Sequence, residues 1–266
     1  MVQGAVTRDM PNVRIACRGL SKSYFDLAEG REIVALSSID LDIHDGEFVT
    51  VLGPSGCGKS TLLNIAAGFE EPSSGSILLD GKRVEAPGPD RGVVFQEYAL
   101  FPWLTVEQNV RYGLRELRVP AAEAAERVRY WLRLVRLEGF EKRYPHELSG
   151  GMRQRVALIR VLANDPKSLL MDEPFAALDA QSRSVLQREL ESLWLRAHKT
   201  VLFVTHSIEE AVFLADRVVV MTARPGRVKE IISVDLSRPR DPTSDQFNAY
   251  RREATRLIEA EVAATT

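Results

Sequence analysis

Two cysteines, Cys17 and Cys57, in 266 residues are too few for a disulfide framework. Cys57 stands inside a glycine-rich loop that a bridge would tether, so reduced thiols and a cytosolic compartment are expected. No apolar run approaches the roughly 18 residues that a bilayer crossing needs. The stretch from Met1 to Val6 lacks the charged-then-apolar layout of a signal peptide. A membrane role is therefore expected to run through a partner. Neither sign of charge is in excess: 35 Lys and Arg against 37 Asp and Glu leave a net charge of −2, so the electrostatic footprint of a nucleic-acid partner is missing. The sequence carries no internal repeat and no low-complexity segment. What is left, 45% hydrophobic and 27% charged, is an ordinary globular composition with material for a sizeable core. Its length suits one large domain or two small lobes.

The most informative stretch is Gly53-Pro54-Ser55-Gly56-Cys57-Gly58-Lys59-Ser60-Thr61, which fits the phosphate-binding template G-x-x-x-x-G-K-[ST] at every fixed position. A buried strand, Glu47 to Leu52, runs into it, and the apolar run Leu62 to Ala67 reads as a helix leaving it. Glycines let successive backbone N–H groups converge on phosphate oxygens, and the helix adds its positive N-terminal end. The loop is expected to bind a nucleoside triphosphate, with Lys59 on the β- and γ-phosphates and the Ser60 hydroxyl on Mg²⁺.

Upstream, Val13 to Cys17 and Ile39 to Ile43 alternate apolar and polar residues as half-exposed antiparallel strands do, with Phe25 to Arg31 as their polar connection. Tyr24 ends the first strand, within Leu20 to Tyr24, and reads equally well as a purine-stacking platform or as a packed strand end. Downstream, Ser76 to Gly81 predicts a strand and turn, and Arg91 to Gln96 a short strand ending in a polar residue. From Glu97 to about Leu162 the pattern turns helical, with runs at Val106 to Leu117 and Ala121 to Leu137, and reads as a lobe inserted into an α/β core. Ser149 before Gly150 and Gly151 looks like a helix N-terminus. Buried strands at Ser168 to Met171 and Thr200 to Thr205 deliver Asp172-Glu173 and His206 at their ends, with a helix from Ala180 to Arg196 between them. Strands at Arg217 to Met221 and Val228 to Val234, turned by Pro225-Gly226, precede a last helix from about Phe247 to Val262.

Taken together, these stretches resemble the nucleotide-binding subunit of ATP-binding-cassette (ABC) transporters. GPSGCGKST from Gly53, a glutamine loop at Gln96, LSGGM from Leu148, LLMDEP from Leu169 and a histidine loop at His206 occur in the family's order over nearly the whole chain. A phosphate loop alone would leave kinases, GTPases and recombination ATPases open; LSGGM closes most of those options. The resemblance implies an α/β fold, a P-loop ATPase core with an antiparallel β subdomain and an inserted helical subdomain. It implies a disordered leader over residues 1–12, an ATP-binding domain over 13–240 with its helical part at about 97–162, and a helical tail over 241–266.

The resemblance also assigns roles. ATP would be held by Tyr24, by the loop Gly53, Pro54, Ser55, Gly56, Cys57, Gly58, Lys59, Ser60 and Thr61, and by Ser149, Gly150, Gly151 and Asp179. Mg²⁺ would be held by Ser60 and Gln96, with Asp172 reaching it through a water. Glu173 would act as general base, assisted by Lys59, Gln96 and His206. In the family Ser149 to Gly151 faces the γ-phosphate on a second copy, so two chains enclose two ATP molecules head to tail. Departures from the family pattern, Ser168, Ala176 and Met152, remove no catalytic group.

VVFQEYALFPWLTVEQNV, MDEPFAALDAQSR and RPGRV look like the importer subgroup for nitrate, sulfonates and taurine. Implied partners are integral-membrane permease subunits and, indirectly, a periplasmic or extracellular substrate-binding protein, at the cytoplasmic face of the cell membrane. Part of Tyr98 to Trp103 is expected to line the groove that receives a permease helix, with lobe core the other reading for Phe101 and Trp103. Two rivals stand beside this reading. A soluble cassette ATPase of translation or repair usually carries two cassettes or a long coiled coil, and neither pattern occurs in the sequence. A non-hydrolysing sensor is opposed by intact Lys59, Asp172, Glu173 and His206.

Overall fold

The computed structural model describes residues 12–27 and 30–263. The expected leader, apart from Asn12, lies outside the described residues, as do residues 28–29 of the first connection. In chain order the elements are β1 (Val13–Asp26), β2 (Arg31–His44), β3 (Phe48–Leu52), α1 (Lys59–Ala67), β4 (Ser74–Leu79), β5 (Lys82–Arg83), β6 (Arg91–Val94), α2 (Val106–Glu116) and α3 (Ala121–Leu134). They continue with α4 (Gly150–Leu162), β7 (Ser168–Asp172), α5 (Ala180–Ala197), β8 (Thr200–Thr205), α6 (Ile208–Leu214), β9 (Arg217–Met221), β10 (Val228–Ser233) and α7 (Asp245–Ala263).

The central sheet has the order β10-β9-β3-β8-β7-β6. Its pairs β9–β3, β3–β8, β8–β7 and β7–β6 are parallel, and β10 closes one edge antiparallel. A parallel sheet is covered on both faces, and every residue of β3 and β8 is buried. Because side chains alternate along a strand, each strand feeds two cores. Phe48, Leu52, Leu169, Met171, Val201 and Phe203 join the core that includes α2 to α7. Val49, Val51, Leu170, Leu202 and Val204 join the core shared by α1 and the antiparallel sheet β2-β1-β4-β5.

The helical segment is built by ordinary amphipathic logic. Val106, Val110 and Leu114 of α2 and Ala124, Val128 and Leu132 of α3 are buried. Thr105 and Gln108 form a reciprocal cap at the start of α2. The buried Asn109 amide donates to the carbonyls of Phe101, Leu104 and Thr105 and accepts from the Phe101 N–H, which fixes the loop carrying Trp103.

The structure corrects the sequence reading in three places. The first hairpin is far longer than expected: β1 and β2 pair from Val13–His44 to Asp26–Arg31, so the connection begins after Asp26 and Tyr24 lies inside a strand. The cross-strand pairs Phe25–Glu32 and Asp26–Arg31 extend the ladder into the stretch read as the polar connection. Second, β6 stops at Val94, two residues short of Gln96. Third, α6 was not predicted. At seven residues it is too short for a helical period, and its Ser207 cap and first-turn Glu209 and Glu210 are its only sequence marks.

Candidate functional site

Register places the chemistry. Leu52 pairs with Thr205 and Asp172 with Val204, so β3, β7 and β8 end at one level. The phosphate loop, Asp172-Glu173 and His206 leave the sheet at the same edge, where open α/β sheets bind ligands.

The loop's geometry depends on glycine. Gly56 and Gly58 have φ of 78° and 94°, and a Cβ on Gly58 would stand 2.6 Å from Leu36 Cδ2 and 2.8 Å from the Ala35 carbonyl oxygen. Lys59, buried at the start of α1, donates from Nζ to the carbonyls of Gly53 at 2.8 Å and Pro54 at 3.0 Å. Cys57 is buried beneath the loop, and burial pushes its thiol pKa up despite the nearby Lys59 cation.

A cavity of about 430 Å³ opens here, lined by Tyr24, Ile33, Ala35, Ser55, Gly56, Gly58, Lys59, Ser60, Thr61, Glu173 and Arg224. The Tyr24 hydroxyl donates to Glu70 at 2.8 Å and lies 3.3 Å from the Thr61 hydroxyl, holding the ring at the cavity's rim. Its pKa is raised, first by burial and then by Glu70. At the floor, the Ser60 hydroxyl donates to Asp172 Oδ1 at 3.2 Å. Burial holds the Asp172 carboxyl above its usual range and Glu173 adds to that, while the Ser60 bond and Lys59 oppose it.

Glu173 has a left-handed backbone, φ 43°, and its N–H donates to the Val204 carbonyl at 2.9 Å. That conformation, costly for a non-glycine residue, turns the carboxylate toward the next strand. There Glu173 Oε2 lies 2.9 Å from His206 Nδ1. Below His206, Thr205 donates to the buried Glu210 at 2.6 Å, and Arg183 at the start of α5 approaches Glu210 at 3.7 Å. Burial raises the Glu210 pKa, with the Thr205 bond and Arg183 opposing it.

The structure thus gathers Tyr24, Ser55 to Thr61, Asp172, Glu173 and His206. Gly53 and Pro54 contribute through their carbonyls. Gln96 is exposed, and among the described residues no hydrogen bond joins it to Ser60 or Asp172. Ser149 caps α4 by accepting from the Met152 N–H at 3.3 Å, and with Gly151 it lines a separate cavity of about 250 Å³. A Cβ on Gly150 would stand 3.3 Å from the Tyr98 hydroxyl and 3.5 Å from Leu178 Cδ2, and Asp179 caps α5 by accepting from the Ser182 N–H, which holds its carboxyl below the usual range. Sequence reasoning missed Ile33 and Ala35, hidden in the misjudged hairpin, and Arg224, whose RPGR stretch carries no nucleotide-motif signal.

For a metal, the available donors are a hydroxyl, an amide and a carboxylate, all hard oxygens of the kind Mg²⁺ prefers, and the contact between Ser60 and Asp172 converges two of them. Among the described residues no cluster of His, Cys, Asp and Glu offers a rival metal site.

A family model described as ABC transporter matches residues 36–176. An uncharacterized ABC transporter ATP-binding protein of Methanocaldococcus jannaschii is 54% identical over 255 residues, spanning 96% of this chain and 95% of that protein. The aliphatic sulfonates import ATP-binding protein SsuB of Bacillus cereus is 45% identical over 245 residues, spanning 92% and 96%. Its namesake in Bacillus anthracis is 47% identical over 227 residues, spanning 85% and 89%. A solved ATP-binding cassette, in a dimeric post-hydrolysis state bound to ADP and Pi, superposes with a TM-score of 0.73 at 33% identity, over 84% of this chain and all of that one (100%).

Proposed function

The chain belongs to the ABC transporter family, and from that membership we propose that it is the ATP-hydrolysing subunit of an importer for small sulfonate anions. It is an ATPase coupled to transport. The observation that supports the site assignment is the common edge at which β3, β7 and β8 release the phosphate loop, Asp172-Glu173 and His206; the loop and Glu173 line the cavity, Asp172 meets Ser60 and His206 meets Glu173.

In the proposed mechanism Lys59 and the backbone N–H groups of residues 55–61 hold the polyphosphate, and Tyr24 stacks on the adenine. Mg²⁺, held by Ser60 and Gln96 with Asp172 behind a water, would neutralise charge on the β- and γ-phosphates. Glu173 orients the attacking water and takes its proton as the water oxygen bonds to the γ-phosphorus and the bridging oxygen leaves with ADP. His206 fixes the Glu173 carboxylate and steadies the γ-phosphate. Ser149, Gly150 and Gly151 reach ATP on a second copy, which completes each site head to tail. Support comes from the separate cavity that Ser149 and Gly151 line and from the relative described as dimeric.

Residues 97–162 act as the lobe that meets the permease. A largely apolar groove of about 610 Å³ between this lobe and the core is lined by Phe69, Pro87, Pro89, Tyr112 and Leu117, among others. Trp103 is not in that lining; it packs on Phe101, whose ring meets Tyr112 at 4.6 Å, so it extends the rim. Among the described residues no helix is long and apolar enough to cross a membrane, so attachment to the cytoplasmic face would come through the permease. A substrate-binding protein outside the membrane would supply the cargo.

The cargo reading is supported by relatives named for aliphatic sulfonates import. The test is ATP hydrolysis by the chain assembled with its neighbouring permease in vesicles, with the binding protein and each anion in turn. Stimulation by an aliphatic sulfonate supports the reading. Stimulation by taurine or nitrate alone reassigns the cargo, and no dependence on the permease overturns the importer role.

A further inference from the structure

Arg224 sits in the turn between β9 and β10, outside every nucleotide motif. We propose that Arg224 is a further nucleotide-binding residue, whose guanidinium pairs with the polyphosphate of a nucleotide in the 430 Å³ cavity. This rests on the reading of that cavity as the ATP site.

Position is the first argument. Arg224 lines the same cavity as Tyr24, Lys59, Thr61 and Glu173. One guanidinium nitrogen lies 3.1 Å from where a Cβ on Gly56 would stand, and Nε donates to the Gly56 carbonyl at 3.4 Å. The side chain therefore lies over the middle of the phosphate loop.

The turn is also held there. Gly226 donates to the Ala35 carbonyl at 2.9 Å and accepts from the Ser37 N–H at 3.0 Å, which stitches the turn to β2. A Cβ on Gly226 would stand 2.0 Å from the Cys57 carbonyl oxygen, so turn and phosphate loop touch backbone to backbone. The Ala223 N–H donates to Glu261 of α7 at 3.0 Å, and Thr222 accepts from the Arg227 N–H at 2.9 Å.

Charge is the third argument. The cavity lining carries two cations, Lys59 and Arg224, against the single carboxylate of Glu173. Among the described residues Glu173, the one carboxylate in the lining, is engaged by His206, and Arg224 is exposed. A planar guanidinium suits phosphate oxygens as it suits carboxylates, and a polyphosphate has anionic oxygens to spare beyond those that Lys59 takes.

The test is titration of ATP, ADP and AMP into the full chain and into Arg224→Ala, Arg224→Lys and Lys59→Ala, at low and high salt. The Arg224→Ala variant should bind ATP about five- to tenfold more weakly, with a smaller loss for AMP. Arg224→Lys should recover part of the loss, and the difference from the wild-type chain should narrow at high salt. A purely structural clasp on Gly56 would weaken all three nucleotides equally and independently of salt. That result, or unchanged ATP affinity in Arg224→Ala, overturns the proposal. The Lys59→Ala variant separates the two levels. If it loses ATP while Arg224→Ala does not, only the inference about Arg224 fails. If the wild-type chain does not bind ATP, or Lys59→Ala binds it equally well, the cavity reading fails and the inference with it.

Discussion

His206 Nδ1 lies 2.9 Å from Glu173 Oε2, so the residues that follow β8 and β7 meet across neighbouring strands. The contact joins a group suited to accept a water proton to one suited to hold a phosphate. It gives the proposed general base a fixed orientation.

Substitution at this pair should separate binding from turnover. Glu173→Gln should keep ATP affinity within about twofold and lower turnover by about 100-fold or more. His206→Ala should also keep binding and lose turnover. Nucleotide titration beside single-turnover hydrolysis checks both. Normal turnover in Glu173→Gln would remove that residue from the mechanism.

Asp172 yields a pH-dependent prediction whose sign is fixed by its raised pKa, due first to burial. The folded protein holds this proton more tightly than the unfolded chain does, so the ionised carboxylate costs stability. That cost is complete above the folded pKa and fades as pH falls through it toward the ordinary value of 3.8. Asp172→Asn should therefore raise stability at neutral pH, by about 1 kcal/mol or less, and the gain should vanish on acidification. The same variant should lose magnesium-dependent hydrolysis. Denaturant melts across the acid range, with a turnover assay, test both halves.

Gly58 tests the shape of the loop. With φ 94° and two contacts under 3.0 Å awaiting any Cβ, Gly58→Ala should destabilise the fold by roughly 2–4 kcal/mol and abolish ATP binding. Thermal unfolding and nucleotide titration are the readouts. A stable variant with normal affinity would show that the loop relaxes freely.

Trp103, 70% exposed and packed at a tilt against Phe101, should be dispensable for folding. Trp103→Ala should change stability by less than about 1 kcal/mol and leave ATP binding unaltered, while weakening permease assembly. Intact assembly and transport in this variant would exclude it from the proposed docking rim.

Much of this was legible in the sequence, and the gaps have physical causes. The central strands announced themselves because buried parallel strands read as unbroken apolar runs, as in Val201 to Val204. The Ser149 cap was legible because a serine before two glycines has few other uses. The full length of the first hairpin was not, because residues 25–26 and 31–34 are stabilised by cross-strand pairing that no single segment displays. Arg224 was hidden for a related reason. Its place depends on β9 lying beside β3, a pairing between residues far apart in the chain. Sequence motifs expose groups that share one loop and conceal groups that meet only through sheet order.

The most direct test of the composite site is the mass of the Glu173→Gln protein with and without ATP, repeated with Ser149→Arg added. An ATP-dependent dimer holding one nucleotide per chain is expected. Ser149→Arg is expected to abolish dimerisation while each monomer still binds ATP. A Glu173→Gln protein that stays monomeric at saturating ATP, or a Ser149→Arg change that destroys nucleotide binding within the monomer, would contradict it.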